Sequence, residues 1–362
     1  MMVFMKKIAL LVYDFSLFGG AEHVAANLAN EFIQDYEVYF ISCFNEKKEL
    51  AFPLNDKIST FVLSQETKSM VLHSGSLAYK LHRILKSNQI DVVLNITAGV
   101  NTLAYMATRG LLVKTIYCEH SNLLNKTYGK KHEFRQWIGA TTADAVVALT
   151  KEDCDIFKEK YHIGNKVEYI YNWYEGSVGY EYNVRSKKII SVGRLKSIKG
   201  YDRMIPIAAA VLNEHADWTW DIYGEGDYRE ELENLISKYG LEDRVILKGN
   251  DPHVQEKYKE YAFCVMTSYY EGFALVLVEA MAQSVPCVSY DCPTGPREII
   301  RNDVNGFLVE DGNEESMIQV IDCLMNDSKL REKLSKSTVN VLKKFDKKTI
   351  YDQWCNLIDH II

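Results

Sequence analysis

Two cations and two carboxylates in the second half of the sequence have a spacing that suits a phosphorylated ligand. Arg194 and Lys199 follow an apolar run and precede a helical pattern. We therefore expect them at the carboxyl end of a strand, where a guanidinium fork and an ammonium point charge can hold a diphosphate. A solvated basic loop is the alternative. Glu271 lies just before the apolar stretch 273–282, and Glu279 lies within it.

The stretch 273–282 predicts a helix that starts near Phe273 and is apolar almost all round, and therefore buried. An ionised carboxylate at Glu279 then needs partners, because its burial is otherwise costly. It either belongs to a buried ion pair or accepts hydrogen bonds from the hydroxyls of a ligand. Glu271 stands near the unpaired N–H groups that begin the helix, where a phosphate is favoured. Two carboxylates beside such a helix start suit a sugar nucleotide, which has hydroxyls at both ends and phosphates between them.

Glycine pairs stand at two further junctions between a strand and a helix. Gly19 and Gly20 follow the first predicted strand, where glycine lets the backbone approach a ligand and a helix N-terminus offers N–H groups to an anion. Gly224 and Gly226 repeat the arrangement, but Arg229 occupies the third glycine position of a dinucleotide fingerprint. A plain tight turn is the alternative explanation for both pairs.

Two features of the first half also bear on function. His120 follows the predicted strand 115–118, so it is either structural or placed to reach a ligand beyond the strand end. The segment 126–137 interleaves cations and aromatic residues, which suits an anionic bilayer surface. The alternative is a solvated helix face with Phe134 and Trp137 buried. The segment contains Lys126, Lys130, Lys131, His132 and Arg135 among Tyr128, Phe134 and Trp137.

Short apolar, β-rich runs alternate with longer amphipathic stretches, which predicts α/β units with parallel sheets covered on both faces. The pattern restarts after a stretch rich in Gly, Tyr and charge at 172–186, so two doubly wound, Rossmann-like units are expected. Predicted strands are 8–13, 38–42, 92–95, 115–118 and 145–149, then 188–192, 219–223, 245–247, 264–267 and 286–289. Predicted helices are 21–33, 77–86, 102–108, 132–138 and 151–161, then 202–212, 228–239, 275–282 and 316–325, with two more in 329–362.

The domain boundary follows from this restart. We predict an N-terminal domain over 1–172, a C-terminal domain over 173–345, and a terminal helix over 346–362 that packs back on the first domain. The ligand site of a doubly wound sheet lies beyond the carboxyl ends of its strands. Two such domains facing each other would share one site in the cleft between them.

Composition excludes several classes of protein. The chain has 362 residues, of which 47% are hydrophobic and 25% charged, as in soluble globular proteins rather than disordered ones. The net charge of −7 argues against a nucleic-acid partner. Residues 1–172 hold 19 Lys and Arg against 18 Asp and Glu, and residues 173–362 hold 23 against 31. The net charge is therefore +1 for the first half and −8 for the second half. The first half is the one expected to approach an anionic surface.

The cysteines and the start of the chain bear on location. Eight dispersed cysteines without a C-x-x-C pair predict buried free thiols in a reducing compartment, and no metal site. No apolar run reaches the length of a membrane span. The apolar start at 8–13 is too short for a signal peptide. A cytoplasmic location is expected.

The motifs, taken in order, resemble glycosyltransferase family 4, the group 1 retaining glycosyltransferases of GT-B fold. The likeness covers nearly the whole chain and is strongest over 189–312. The combination of the paired glutamates with the Arg/Lys pair is its specific part. The motifs are Gly19-Gly20-Ala21-Glu22, Val192-Gly193-Arg194-Leu195 with Lys199-Gly200, Gly224-Glu225-Gly226, and Glu271-Gly272-Phe273 ending in Glu279-Ala280-Met281.

The resemblance implies roles for these residues. Arg194 and Lys199 would hold the donor's diphosphate, so that together with the helix end they replace a metal at the leaving group. Glu279 would bind the ribose and Glu271 the transferred sugar. The implied donor-binding residues are Gly19, Gly20, Arg194, Lys199, Gly224, Gly226, Phe273, Ala274, Leu275 and Glu279. The implied catalytic residues are His120, Arg194, Lys199 and Glu271, with neither a metal nor another cofactor.

The resemblance also suggests the reaction. Many relatives have Gly or Pro where this chain has Ala274, which leaves the donor sugar open. The segment 290–300 looks like members that build bacterial surface polysaccharides on polyprenyl pyrophosphate. We therefore expect transfer of a hexose or N-acetylhexosamine from a UDP-sugar to a lipid-linked glycan, with peripheral contact at the inner face of the cell membrane. The alternatives are a UDP-sugar-rearranging enzyme or glycan phosphorylase of the same fold, or a two-domain sugar-binding protein without catalysis.

Overall fold

The computed structural model describes residues 5–66, 69–125, 127, 129–179 and 181–362. Within these residues the chain divides into two compact units. One consists of the residues up to Asn172 together with Lys348–Ile362, and the other of Trp173–Lys347. Each unit is built on one parallel β-sheet with helices packed against it.

The first unit contains a seven-stranded sheet in the order β3-β2-β1-β4-β5-β6-β7, with every neighbouring pair parallel. Its strands are β1 (Lys7–Asp14), β2 (Glu37–Phe44), β3 (Ser59–Val62), β4 (Val92–Ile96), β5 (Lys114–Cys118), β6 (Ala145–Ala148) and β7 (Val167–Tyr169). Its first five helices are α1 (Gly20–Phe32), α2 (Met70–Asn88), α3 (Asn101–Thr108), α4 (Gly129–Thr142) and α5 (Lys151–Tyr161). The sequence does not predict the two edge strands, β3 and β7, because both are short and partly exposed.

The second unit contains a six-stranded parallel sheet in the order β10-β9-β8-β11-β12-β13. Its strands are β8 (Lys188–Val192), β9 (Thr219–Tyr223), β10 (Val245–Gly249), β11 (Phe263–Met266), β12 (Cys287–Tyr290) and β13 (Gly306–Val309). Its helices are α6 (Tyr201–Glu214), α7 (Arg229–Lys238), α8 (Val254–Lys257), α9 (Leu275–Ala282), α10 (Pro296–Ile299), α11 (Glu314–Asn326) and α12 (Ser328–Thr338). The sequence predicts five of these strands and misses β13.

The central strands are buried along their length because both of their faces are covered. Every residue of β4, β6 and β12 is buried, as expected for continuous apolar runs in a parallel sheet. In the first unit, Leu81 and Leu103 belong to one core cluster and Phe157 to another. The cysteines are free thiols: six are buried, Cys323 is exposed and Cys355 is partly exposed.

The C-terminal tail differs from its prediction. Two helices are expected after residue 329, but α12 is followed by a 3-10 segment, Val339–Phe345, and then by α13 (Lys347–Ile361). Helix α13 packs on the first unit, where Trp354 meets the Phe32 ring edge-on at 6.3 Å. The Tyr351 hydroxyl donates a hydrogen bond to Asp35 Oδ2 at 2.6 Å.

Each sheet has one point at which the strand order reverses. It lies between β1 and β4 in the first sheet and between β8 and β11 in the second. Ligands of doubly wound sheets bind outside the carboxyl ends of the strands at such a point. The predicted site residues Arg194 and Lys199 follow β8, Glu271 follows β11, and the Gly19–Gly20 pair follows β1.

Candidate active site

Lys199 and Glu271 form an ion pair at the reversal point of the second sheet. Lys199 ends a 3-10 turn after β8, and Glu271 lies in the loop after β11. Lys199 Nζ lies 2.7 Å from Glu271 Oε1, and the side chains are 23% and 9% exposed. Ser268 Oγ donates to the same carboxylate oxygen at 2.5 Å. The two predicted site residues are thus brought into direct contact at the edge where a ligand is expected.

A glycine at position 200 permits this contact. Gly200 has φ +67°, in the left-handed region, and a Cβ there would lie 2.0 Å from the carbonyl oxygen of Thr267. Thr267 Oγ1 donates to the Gly200 carbonyl at 3.0 Å. The loop that carries Lys199 therefore packs directly on the end of β11. A larger residue at position 200 would push the two loops apart.

Arg194 has a different environment. Its side chain is exposed, and no residue in the described part of the chain forms an ion pair with it. Its backbone is nevertheless fixed by the N–H groups on either side. Gly193 donates to the carbonyl of Tyr223, the last residue of β9, at 2.9 Å, and Leu195 donates to Glu225 in the loop after β9 at 2.9 Å. Arg194 is therefore an open cation on a rigid loop.

Gly224 and Gly226 allow that loop to be rigid. Gly224 has φ +141°, and a Cβ on it would lie 2.0 Å from the Gly193 carbonyl oxygen. A Cβ on Gly226 would lie 2.1 Å from the Leu195 carbonyl oxygen. These neighbours are backbone atoms, which cannot rotate away. Gly224 has the positive φ that a tight turn requires, whereas Gly226 is required only by its close approach to Leu195. Both glycines allow the loop of Arg194 to pack closely on the loop after β9.

Helix α9 begins at Leu275, as the predicted helix 275–282 does, and not at Phe273, where the apolar stretch starts. Ala274 ends the preceding loop with φ +60° and ψ +48°, and this left-handed residue stops the helix from starting at Phe273. Ala274 provides no side-chain cap, so the first N–H groups of α9 are left for solvent or a ligand. Phe273 and Ala274 are both buried, and the Phe273 ring meets Phe345 edge-on at 5.0 Å.

Glu279 is a hydrogen-bonded carboxylate rather than half of an ion pair. Gln255 Nε2 donates to one of its oxygens at 3.1 Å, and the Tyr258 hydroxyl donates to the other at 3.5 Å. Burial raises the pKa of Glu279, and these two hydrogen bonds oppose the rise. Among the residues that the structure describes, no cation pairs with it, so the buried ion pair is wrong. Neutral partners leave the carboxylate able to accept hydrogen bonds from ligand hydroxyls.

Arg203 was not predicted from the sequence, although its guanidinium holds the loop that contains Glu271. Its guanidinium donates to the carbonyls of Thr267 at 2.6 Å and Ser268 at 2.5 Å. It also lies 4.2 Å from the ring centres of both Tyr269 and Tyr290. Nothing in the local pattern of α6 distinguishes this arginine from a solvated one.

Thr294 supports the same loop from the other side, and it was also missed. Its Oγ1 donates to the backbone carbonyl of Glu271 at 2.6 Å. Thr294 has φ +58° and Gly295 has φ +92°. The Pro-Thr-Gly-Pro sequence at 293–296 is typical of such a tight turn, and is the one signal that could have indicated this support.

In the first unit, the glycine pair begins α1. Gly19 has φ −135°, which any residue adopts, and supplies no side-chain cap. A Cβ on Gly20 would meet no described atom within 4 Å. Backbone conformation therefore does not require glycine here, unlike at positions 200 and 224. A Cβ on Gly19 would lie 2.1 Å from Glu22 Oε2, so the Glu22 carboxylate lies against the first turn of α1.

His120 lies at the carboxyl end of β5 and is partly buried. Burial lowers the pKa of its imidazole to about 4, so it is neutral at neutral pH. In the described residues its Nε2 has no hydrogen-bond partner. The loop is held by the buried Glu119, a residue that sequence reasoning missed. The Glu119 carboxylate accepts from the Tyr117 hydroxyl, from Ser121 Oγ at 2.7 Å and from Gln136 Nε2 at 3.0 Å.

The segment of interleaved cations and aromatic residues is mostly part of α4. Lys126 and Tyr128 lie outside the described residues. Phe134 is 56% exposed and Trp137 is 50% exposed, so the alternative that buries both is wrong. Their rings stack with centres 5.8 Å apart.

Two features are absent from the residues that the structure describes. No helix there has both the length and the apolar character needed to cross a membrane. No group of three or more His, Cys, Asp or Glu side chains there is arranged to hold a metal ion.

The second unit therefore combines two kinds of groups at its reversal point. The cations Arg194 and Lys199 and the open start of α9 favour an anion. Glu271 and Glu279 are acceptors for hydroxyl groups. This combination suits a diphosphate with hydroxyl-bearing groups on either side.

Comparison with known proteins identifies the family. The models for Glycosyltransferase Family 4 and for Glycosyl transferases group 1 match residues 18–175 and 179–340. The amylovoran biosynthesis glycosyltransferase AmsD of Erwinia amylovora is 26% identical over 98% of this chain and 100% of its own length. The N-acetylgalactosamine-N,N'-diacetylbacillosaminyl-diphospho-undecaprenol 4-alpha-N-acetylgalactosaminyltransferase of Campylobacter jejuni is 28% identical over 95% of this chain and 96% of its own.

A solved structure shows the same fold. A variant of S. aureus TarM, in complex with fondaparinux, alpha-GlcNAc-glycerol and UDP, matches with a TM-score of 0.85 and 17% identity. The match covers 98% of this chain and 100% of TarM. With two parallel-sheet Rossmann-like domains and both family models matched in sequence, the chain has the GT-B fold and belongs to the group 1 glycosyltransferases.

Proposed function

We propose that this glycosyltransferase moves a hexose or N-acetylhexosamine from a UDP-sugar to a lipid-linked glycan, with retention of configuration, in bacterial surface polysaccharide synthesis. The observation that carries the proposal is the Lys199–Glu271 pair at the reversal point of the second sheet, with the open cation Arg194 on the adjoining loop. The UDP complex of TarM supports UDP as the nucleotide. The names of AmsD and of the Campylobacter relative support a polysaccharide or undecaprenol-linked product.

The donor's diphosphate would bind to the positive groups. Arg194 offers a planar fork, and the N-terminus of α9 offers unpaired N–H groups. Lys199 is held by Glu271 in the free protein, and a bound diphosphate offers its ammonium a second anionic partner. These groups together stabilise the charge that develops on the departing diphosphate, so no metal is required for that task.

The two carboxylates would bind the two ends of the donor. Glu279 has only the neutral partners Gln255 and Tyr258, so it can accept hydrogen bonds from the ribose hydroxyls. Glu271 would accept from hydroxyls of the transferred sugar. Its backbone is held by Arg203 and Thr294 through the surrounding loop, which keeps the carboxylate in a fixed place.

Retention would follow from attack on the face that the diphosphate leaves. The bond from the anomeric carbon to the phosphate oxygen breaks, and its electron pair stays on that oxygen. The acceptor hydroxyl oxygen bonds to the anomeric carbon, and its proton passes to the departing phosphate oxygen. His120 is neutral because of its lowered pKa, so it can exchange a hydrogen bond with a sugar hydroxyl without adding charge.

We also propose that the first unit contacts an anionic membrane through α4. Its exposed aromatics Phe134 and Trp137 stand beside the cations Lys130 and Lys131. Aromatic rings with cations favour an anionic interface. Flotation with phosphatidylglycerol vesicles should weaken in Trp137→Ser, and unchanged flotation would leave this helix face without a membrane role.

A donor panel tests the reaction. UDP- and GDP-sugars are incubated with the protein and a lipid-linked glycan, with and without EDTA, and the released nucleotide and the anomeric configuration of the product are measured. We expect UDP release, an unchanged rate in EDTA, and a product with the donor's configuration. Formation of a rearranged UDP-sugar or of a sugar phosphate would favour the other enzymes of this fold, and binding without turnover would favour a sugar-binding protein.

A further inference from the structure

The first unit contains a cavity of about 650 Å³ to which the donor chemistry assigns no role. Its lining residues come from the first two turns of α2 and α4, the first turn of α3, the residue before α2 and the 3-10 turn before α3. These helices follow β3, β4 and β5, so the cavity lies at the carboxyl edge of the first sheet. Pockets of roughly 300–1,000 Å³ are the usual size for small ligands.

Apolar side chains form much of the cavity wall. Met70 and Leu72 come from α2, Leu103 from α3 and Phe134 from α4. Leu72 is 82% exposed and Phe134 is 56% exposed. Helix α2 begins seven residues before its predicted start because Ser69 caps it, which places these apolar residues in an exposed first turn. Adjacent exposed apolar side chains around a cavity indicate a binding site for an apolar group.

The same cavity is positively charged. Lys130, Lys131 and Arg135 line it. No carboxylate in the described part of the chain pairs with any of these three cations. The lining residues that the structure describes include no Asp or Glu. The N-termini of α2 and α4 add positive potential at the same edge. An anion is therefore favoured beside an apolar group.

We infer that this cavity binds the lipid phosphate of the acceptor. The diphosphate would lie against Lys130, Lys131 and Arg135, and the first isoprenoid units against Leu72, Leu103 and Phe134. This inference rests on the proposed function, in which the acceptor is lipid-linked. A sugar alone fits poorly, because it would leave the three cations of the lining without an anionic partner. A free phosphate would leave the apolar wall uncovered.

Calorimetric titration with farnesyl diphosphate tests the inference, with inorganic pyrophosphate as the comparison. Burying one or more exposed apolar side chains predicts binding of farnesyl diphosphate about tenfold tighter than that of pyrophosphate. Leu72→Ser and Phe134→Ser should each remove most of this difference and leave pyrophosphate affinity unchanged. Lys131→Glu should weaken the binding of both farnesyl diphosphate and pyrophosphate. The matched controls are Leu112→Ser and Arg83→Glu, two exposed positions of the same unit outside the cavity lining, which should change neither.

Two results would overturn the inference. Equal affinity for farnesyl diphosphate and pyrophosphate would mean that the site recognises phosphate alone. Absence of farnesyl diphosphate binding, with intact flotation on phosphatidylglycerol vesicles, would mean that the surface meets a bilayer and not a single lipid. UDP affinity is measured on the same preparations. Retained UDP binding confines a failure to this cavity, whereas loss of UDP binding and transfer would instead refute the proposed function.

Discussion

Replacing Lys199 by Met should lower both the stability of the protein and its affinity for UDP, because the Lys199–Glu271 pair contributes to both. The variant leaves the Glu271 carboxylate, which is 9% exposed, with the Ser268 hydrogen bond but without its ammonium partner. Removing one partner of a buried ion pair costs about 3–5 kcal/mol, and the 23% exposure of Lys199 lets water reduce this to about 1–3 kcal/mol. For a unit of this size each kcal/mol lowers the melting temperature by roughly 2–4 °C. Lys199→Met should therefore melt several degrees lower, and Lys199→Met/Glu271→Gln should recover part of the loss because the side chain that lost its ammonium partner is then neutral.

The same variant separates binding from stability when UDP is added. A charged hydrogen bond to the diphosphate is worth about 1.5–3 kcal/mol, so Lys199→Met should bind UDP roughly tenfold or more weakly. The double variant should still bind UDP weakly, although part of its stability is recovered. Lys196→Met is the matched control, because Lys196 is exposed on the same loop and pairs with none of the described residues. If Lys199→Met bound UDP as tightly as the unaltered protein, the ion pair would be structural only.

Two further predictions concern single positions. Gly200→Ala should lower the melting temperature and UDP affinity together, because its Cβ would lie 2.0 Å from the Thr267 carbonyl. Gly240→Ala is the control, because Gly240 has φ +65° but a Cβ there would meet no atom within 4 Å. This variant has only the strain of the left-handed conformation and should leave UDP affinity unchanged. Equal losses of UDP affinity in the two variants would contradict the packing argument. The folded pKa of His120, about 4, lies below its unfolded value of 6.5, so the unfolded state binds more protons between these values and stability falls as pH falls through that window. Thermal melts of His120→Gln should show a shallower loss between pH 6.5 and 4, and an unchanged slope would show that this histidine is not the titrating group.

The sequence predicts the central strands of both sheets, because these strands are continuous apolar runs. Strands such as β4 and β12 are buried on both faces, so their composition alone indicates them. The edge strands β3 and β7 have four and three residues and are partly exposed. Their conformation depends on pairing with β2 and β6, which no local pattern reports.

The candidate site was predictable in its position but not in its contacts. The strand ends that carry Arg194 and Glu271 could be recognised, since a parallel sheet gathers its carboxyl ends at one edge. The pairing of Lys199 with Glu271 spans 72 residues and depends on the close approach at Gly200. The partners of Glu279 come from α8 and the turn after it, where Gln255 and Tyr258 resemble ordinary surface and core residues. Long-range packing determines these contacts, and a single sequence contains no local signal for them.

The most direct test of the account is to measure UDP affinity and transfer rate in Glu271→Gln and Glu279→Ala. Glu279→Ala removes an acceptor for the ribose, so both UDP and UDP-sugar should bind roughly tenfold or more weakly, corresponding to about 1.5–3 kcal/mol. Glu271→Gln keeps an acceptor for Ser268 and releases Lys199, so UDP affinity should be nearly unchanged. Transfer should nevertheless fall strongly, because a contact to the sugar that strengthens in the transition state is lost. Full turnover by Glu271→Gln, or equal losses of melting temperature and of affinity for every ligand in both variants, would contradict the assigned roles.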